Sequence, residues 1–124
     1  MARLIKQSEA PKLGLPGRIS LEPVSGAIGS KVTFRIAEIA VPKAGDPPRG
    51  PHLHHGFEEL IYVLKGIGAT VAESGETPIK PGDIVLIPAN EKHFTRNTGT
   101  EPLVLLCFFA EPDVTAGTTE FKSF

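Results

Sequence analysis

His52-Leu53-His54-His55-Gly56-Phe57-Glu58-Glu59-Leu60-Ile61-Tyr62-Val63-Leu64-Lys65-Gly66 is the stretch on which the reading of this chain turns. Side chains at i and i+2 of a strand point the same way, so His52 and His54 present their imidazoles to one side while His55 points away. Residues 58–64 read as a strand, because a helix there would ignore their β-branched and aromatic content. Glu59 has the opposite parity to the histidine pair, and a continuous strand would aim it at the other face. Gly56 permits a bend that starts a new strand and resets the parity. On residues alone, Glu58 and Glu59 both remain candidates for a carboxylate beside the two rings.

Upstream, Ala44-Gly45-Asp46-Pro47-Pro48-Arg49-Gly50-Pro51 is too proline-rich for regular pairing, so a loop is expected to deliver the histidines. A strand is expected over 31–41, ended by Pro42. Residues 1–30, punctuated by Pro11, Gly14, Pro16, Gly17, Pro23, Gly26 and Gly29, read as an irregular arm or one or two edge strands. Downstream, strands are expected over 69–73, 83–88, 92–97 and 103–110, separated by glycine- and proline-bearing turns. His93 opens the 92–97 strand, and a closed barrel can bring it to the His52/His54 pair from a neighbouring strand. The tail, 111–124, is polar with two late phenylalanines, Phe121 and Phe124, which are expected to dock on the barrel or on a partner chain.

Composition narrows the class. Gly 13 and Pro 12 in 124 residues are well above average usage and are spread between short apolar runs, which points to many short strands with turns in an all-β single domain over 1–124. With Lys+Arg 13 against Asp+Glu 14, the net charge of -1 gives no general attraction to nucleic acid or anionic membranes. The N-terminal residues lack the apolar run of a secretory signal, and no segment reaches membrane-spanning length, so a cytoplasmic location is expected. The single cysteine, Cys107, sits in the apolar run 103–109 and reads as a buried side chain.

The two histidine segments resemble the motifs of the cupin superfamily. The first family motif, G-x5-H-x-H-x4-E-x6-G, is met by His52, His54, Glu59 and Gly66, with Asp46 in place of the leading glycine and Gly45 one residue earlier. The second, G-x5-P-x-G-x2-H-x3-N, is met by Gly82, Pro88, His93 and Asn97. Asn90 stands at the inner glycine, and asparagine accepts left-handed conformations. The resemblance covers residues 45–97. It implies a jelly-roll (double-stranded β-helix) barrel of two facing sheets, with His52, His54, Glu59 and His93 as ligands of one divalent metal. Glu59 is preferred to Glu58 because it alone keeps the spacing to His54 and Gly66.

Three imidazoles and a carboxylate suit Fe(II), Mn(II), Ni(II) or Zn(II) rather than copper(I) or calcium. Iron or manganese is favoured, since a six-coordinate ion would keep two positions for substrate. Phe34, Tyr62, Phe94, Arg96 and Phe108 are candidates to line the pocket, with Arg96 as a carboxylate clamp or a surface partner of Glu91 or Glu101, and Tyr62 favoured as core. Glu58 is a candidate general base. The family resemblance implies a metal-dependent enzyme of dioxygenase or decarboxylase type acting on a small organic acid or phenolic compound. Its alternatives are a non-catalytic small-molecule-binding or sensor protein and, ranked last, a sugar isomerase or epimerase. A homodimer is expected, because a small jelly-roll leaves sheet edges and apolar strands to cover.

Overall fold

Strand-forming runs and turn glycines partition the described residues into eleven strands. A computed structural model describes residues 1–47 and 49–124; Pro48 lies outside the described residues. The strands are β1 (Lys12–Leu13), β2 (Ile19–Val24), β3 (Thr33–Ile39), β4 (His52–His54), β5 (Glu59–Lys65), β6 (Gly68–Ala72), β7 (Gly75–Ile79), β8 (Ile84–Ile87), β9 (His93–Asn97), β10 (Leu103–Phe109) and β11 (Thr118–Glu120). They form two antiparallel sheets, ordered β1-β2-β3-β10-β5-β8 and β11-β4-β9-β6-β7. This is the jelly-roll barrel. No described helix is long and apolar enough to cross a membrane.

Alternation along each strand decides what enters the barrel. In β10, Leu103, Leu105, Cys107 and Phe109 are buried and the residues between them are not. In β5 the buried set is Glu59, Ile61 and Val63, and in β9 it is His93, Thr95 and Asn97. Register then sorts the interior lengthwise: Leu103 lies opposite Ile39 at one end of β10, and Phe109 lies opposite both Thr33 and Glu59 at the other. Ile39, Val63, Ile79, Leu103 and Leu105 close the first end as an apolar plug. The histidines and Glu59 occupy the second.

Two expectations are corrected. The histidine pair is carried by a short strand, β4, whose His52 pairs with His93 and which gains a second partner in β11 from the tail. Residues 75–79, read as turn and connector, form β7, a hairpin partner of β6; its Pro78 is accommodated because β7 is a sheet edge. The arm contributes β1 at the sheet edge and β2 between β1 and β3, with a register shift between Leu21 and Val24 where Pro23 interrupts the ladder.

The motif glycines and asparagines have structural causes. Gly66 has φ 83°, and a Cβ there would lie 2.7 Å from the Pro102 carbonyl oxygen and 2.9 Å from Leu103 Cα. Asn90, with φ 67°, takes the left-handed conformation expected where the family has glycine. Its N–H donates to the His54 carbonyl and its side-chain oxygen accepts from Gly56 N–H at 3.0 Å, which ties the two histidine segments together. Buried Asn97 donates to the carbonyls of Ile39 and Glu101 and accepts from Gly99 N–H, pinning the barrel's apolar end.

Candidate metal centre

One donor atom each from His52, His54, Glu59 and His93 converges so that all lie within 4.8 Å of one another, and all four residues are buried. β4 supplies the first two rings from the same face, β5 supplies Glu59 from the opposite sheet, and β9 supplies His93 beside His52. Gly56, with φ 83°, makes the bend between β4 and β5. This group can hold one metal ion.

The hydrogen bonds behind the rings fix their protons. His93 Nδ1 lies 2.9 Å from the Glu91 carbonyl, which can only accept, so Nδ1 carries a proton. Thr118 Oγ1 donates its one proton to the Val114 carbonyl at 2.6 Å, so at 2.8 Å from His54 Nδ1 it accepts from that ring. Both rings therefore turn Nε2 toward Glu59 Oε1, at 3.0 Å from His93 and 3.2 Å from His54. A neutral ring in this pose would aim a lone pair at a carboxylate. Only positive charge between them holds such an arrangement, either a second proton on the ring or a metal cation.

Electrostatics agree with that reading. Burial alone would raise Glu59, but hydrogen bonds from His54 and His93 override it and hold the carboxyl low and ionised. Burial opposes a charge on His93, yet its hydrogen bond to Glu59 raises it above the ordinary histidine value. His52 is different: burial, reinforced by the charge on His93, lowers it to about 2 and keeps the ring neutral. Its Nδ1 is buried without a hydrogen-bond partner, 3.9 Å from Glu120 Oε2. Phe57 stacks on His54 at 5.3 Å and Phe109 meets it edge-on at 5.1 Å, giving the donors an apolar wall. Burial, then the neighbouring Glu59 carboxylate, pushes the Cys107 thiol well up, so it stays protonated.

The remaining predicted site residues fall elsewhere. Glu58 is exposed, one position out of phase with Glu59, which removes the geometric basis for a general base. All five pocket candidates have outward parity. Phe34 and Phe108 pair at 4.7 Å on the outer face of the six-stranded sheet, and Tyr62, expected in the core, is 38% exposed on that same face. Phe94 packs outside against Phe124 at 6.0 Å. Arg96 is exposed and pairs with Glu76, not with Glu91 or Glu101. Phe94 and Arg96 line a surface cavity of about 630 Å³ that also touches Pro16, Ile39 and Arg49 and includes none of the four donors.

Sequence reading passed over the groups that do surround the donors. These are Arg35, held by Glu22 at 2.7 Å; Arg18 and Glu120; and Thr118 behind His54. Counting in twos from Glu59 and His93 would have excluded the outward residues, and counting back from Ile39 through Ala37 would have placed Arg35 inside.

The family model described as "Cupin domain" matches residues 38–109. The chain belongs to the cupin family. Among relatives, this cupin is 32% identical over 63 residues to L-ectoine synthase of Vibrio campbellii, an alignment covering 49% of each chain. It is 27% identical over 104 residues to 3-hydroxyanthranilate 3,4-dioxygenase of Brucella anthropi, covering 78% of this chain and 57% of that one. The matched part thus spans about half the length of these relatives. Among solved structures, oxalate decarboxylase of Lactobacillus farciminis superposes with a TM-score of 0.76 at 20% identity, over 92% of this chain and 34% of that one, a likeness of fold.

Proposed function

We propose that this cupin is a metal-dependent enzyme of dioxygenase or decarboxylase type, acting on a small organic acid or phenolic compound and taking one divalent transition metal per chain, iron or manganese ahead of nickel or zinc. One observation carries the reading: two rings with their Nδ1 protons already engaged direct Nε2 at the same buried carboxylate oxygen. That donor set fits a borderline divalent ion. Bound there, the ion would act as a Lewis acid on a chelating substrate. The chain's own part is to hold His54 and His93 in one tautomer through Thr118 and the Glu91 carbonyl, and to exclude water with Phe57 and Phe109. The dioxygenase relative and the decarboxylase-like fold support the reaction class.

The exposure of Glu58 favours a second reading, a non-catalytic cupin that binds a small molecule without turnover. Elemental analysis of the purified protein, followed by oxygen-uptake and carbon dioxide assays of the iron- and manganese-loaded forms against hydroxybenzoates and small carboxylic acids, separates the two. Stoichiometric metal with turnover supports the enzyme, and metal with saturable binding but no turnover supports the binding protein. A protein that takes up none of the four metals overturns both.

The same reading includes a homodimer. On the outer face of the six-stranded sheet, Phe34, Phe108, Leu60 and Leu86 form one row in register, and Ile36, Leu106, Tyr62 and Ile84 form the next. No charge interrupts either row, and Ile84 and Leu86 are 68% and 54% exposed. An apolar patch of this kind marks an interaction surface, and a second copy offers the same flat rows for sheet-on-sheet packing about 10 Å apart.

A further inference from the structure

Three arginines reach toward the polar end of the barrel: one is closed by a largely buried carboxylate, one meets a half-exposed carboxylate, and one has none within 4.0 Å among the described residues. Arg35 Nε meets Glu22 Oε2 at 2.7 Å, and both side chains are largely buried. Arg18 is nearly as buried, but Glu120 stands 3.6 Å from its Nη2 and is 41% exposed; its Nη1 donates to the Pro16 carbonyl at 2.8 Å. Arg49 has no carboxylate within 4.0 Å among the described residues. Its Nη1 donates to the Thr95 carbonyl at 2.9 Å, and its Nε is buried with no hydrogen-bond partner.

These two cations are neighbours, and both flank the donor cluster. The Arg49 side chain packs on Gly17, where a Cβ would lie 2.9 Å from Arg49 Cδ, which brings it alongside residue 18. Arg49 precedes His52 by three residues and reaches the backbone of Thr95, two beyond His93. Glu120, which faces Arg18, sits opposite His52 in the β11–β4 register. Burial, and then the charge of Arg18, pulls Arg49 down to about 10, against the more distant charges of Glu120 and Glu59. With Glu59 shared by a divalent cation, the carboxylate left near the pair is Glu120, which is 41% exposed and faces Arg18.

We propose that Arg18 and Arg49 form an anion subsite beside the metal donors, which takes a carboxylate or phosphate carried by the same small molecule whose other end reaches the metal. The proposal rests on the metal reading above and narrows its substrate class to compounds with a second anionic group. A guanidinium fork binds either oxyanion in bidentate fashion, which a surface lysine would not reproduce.

Calorimetric titration of the manganese-loaded protein with succinate, 3-phosphonopropionate and butyrate tests it. The wild type is expected to bind the two multiply charged acids at least about tenfold more tightly than butyrate, the advantage of a charge-assisted bidentate contact. R49Q and R18Q each cut that preference to below about threefold with unchanged manganese uptake, while R49K keeps an intermediate preference. A larger preference for the phosphonate assigns the group as phosphate, and a larger one for succinate as carboxylate. Equal affinity for butyrate and both charged acids in the wild type, or an undiminished preference in both glutamine variants, overturns the subsite. Inorganic phosphate titrated into the metal-free protein keeps the two readings apart. Phosphate binding lost in R49Q, in a protein that takes up none of the four metals, leaves the subsite standing and sinks the metal reading. Manganese uptake with no anion preference does the reverse.

Discussion

At the scale of single residues, the centre is a place where protons and a metal compete for the same lone pairs. His93 is raised above its ordinary value by Glu59, so in the metal-free protein its protonated form stabilises the fold at acid pH, and that contribution is lost as pH rises through the raised value. A metal takes over from the proton there. Metal uptake is therefore expected to release protons, and affinity to fall by about tenfold per pH unit for each proton displaced as pH drops below the raised histidine value. Calorimetry in two buffers of different ionisation enthalpy measures the release; affinity independent of pH across roughly pH 5 to 8 would contradict it. Thr118 is the cleanest single-atom test. Thr118→Val removes the oxygen that accepts from His54 Nδ1 and is expected to weaken metal binding about 10- to 100-fold in a chelator competition, with Thr118→Ser restoring it.

At the scale of elements, the motif positions act through backbone geometry. Gly66→Ala forces a side chain into left-handed backbone and against the Pro102 carbonyl, and is expected to cost about 1–3 kcal/mol in chemical denaturation. Asn90→Gly, which keeps the conformation and loses one exposed hydrogen bond, should cost less; a larger loss at Asn90 than at Gly66 would reverse the roles assigned to them. The strands around the two motifs were legible because turn residues bracket short β-branched runs, and the four donors were legible through the resemblance to the family's two motifs, since strand parity alone left Glu58 and Glu59 both open. β7 was not, because Gly75, Glu76 and Pro78 are poor strand formers that pair only through the tight hairpin from β6. The inward faces were misjudged for a different reason. Phe34, Ile36, Tyr62 and Phe108 are apolar and outside, whereas Thr33, Arg35, Glu59 and His93 are polar and inside. A barrel with a polar end inside and an apolar face outside inverts the pattern that burial normally writes into a strand.

At the scale of the whole molecule, that inverted face makes its own prediction. Leu60→Lys with Leu86→Lys, which puts two charges in one row, is expected to convert a dimer to a monomer by light scattering while leaving metal content unchanged. A wild-type protein that is already monomeric would remove the dimer from the proposal. The tail carries a consequence of another kind. Thr118 and Glu120 join β11 to β4 only after residues 52 to 93 have long been in place in the chain. During synthesis the four ligands therefore leave the ribosome before the strand that orients His54, so a nascent chain can collect an ion loosely but reaches its final grip only once residues 118–120 have emerged.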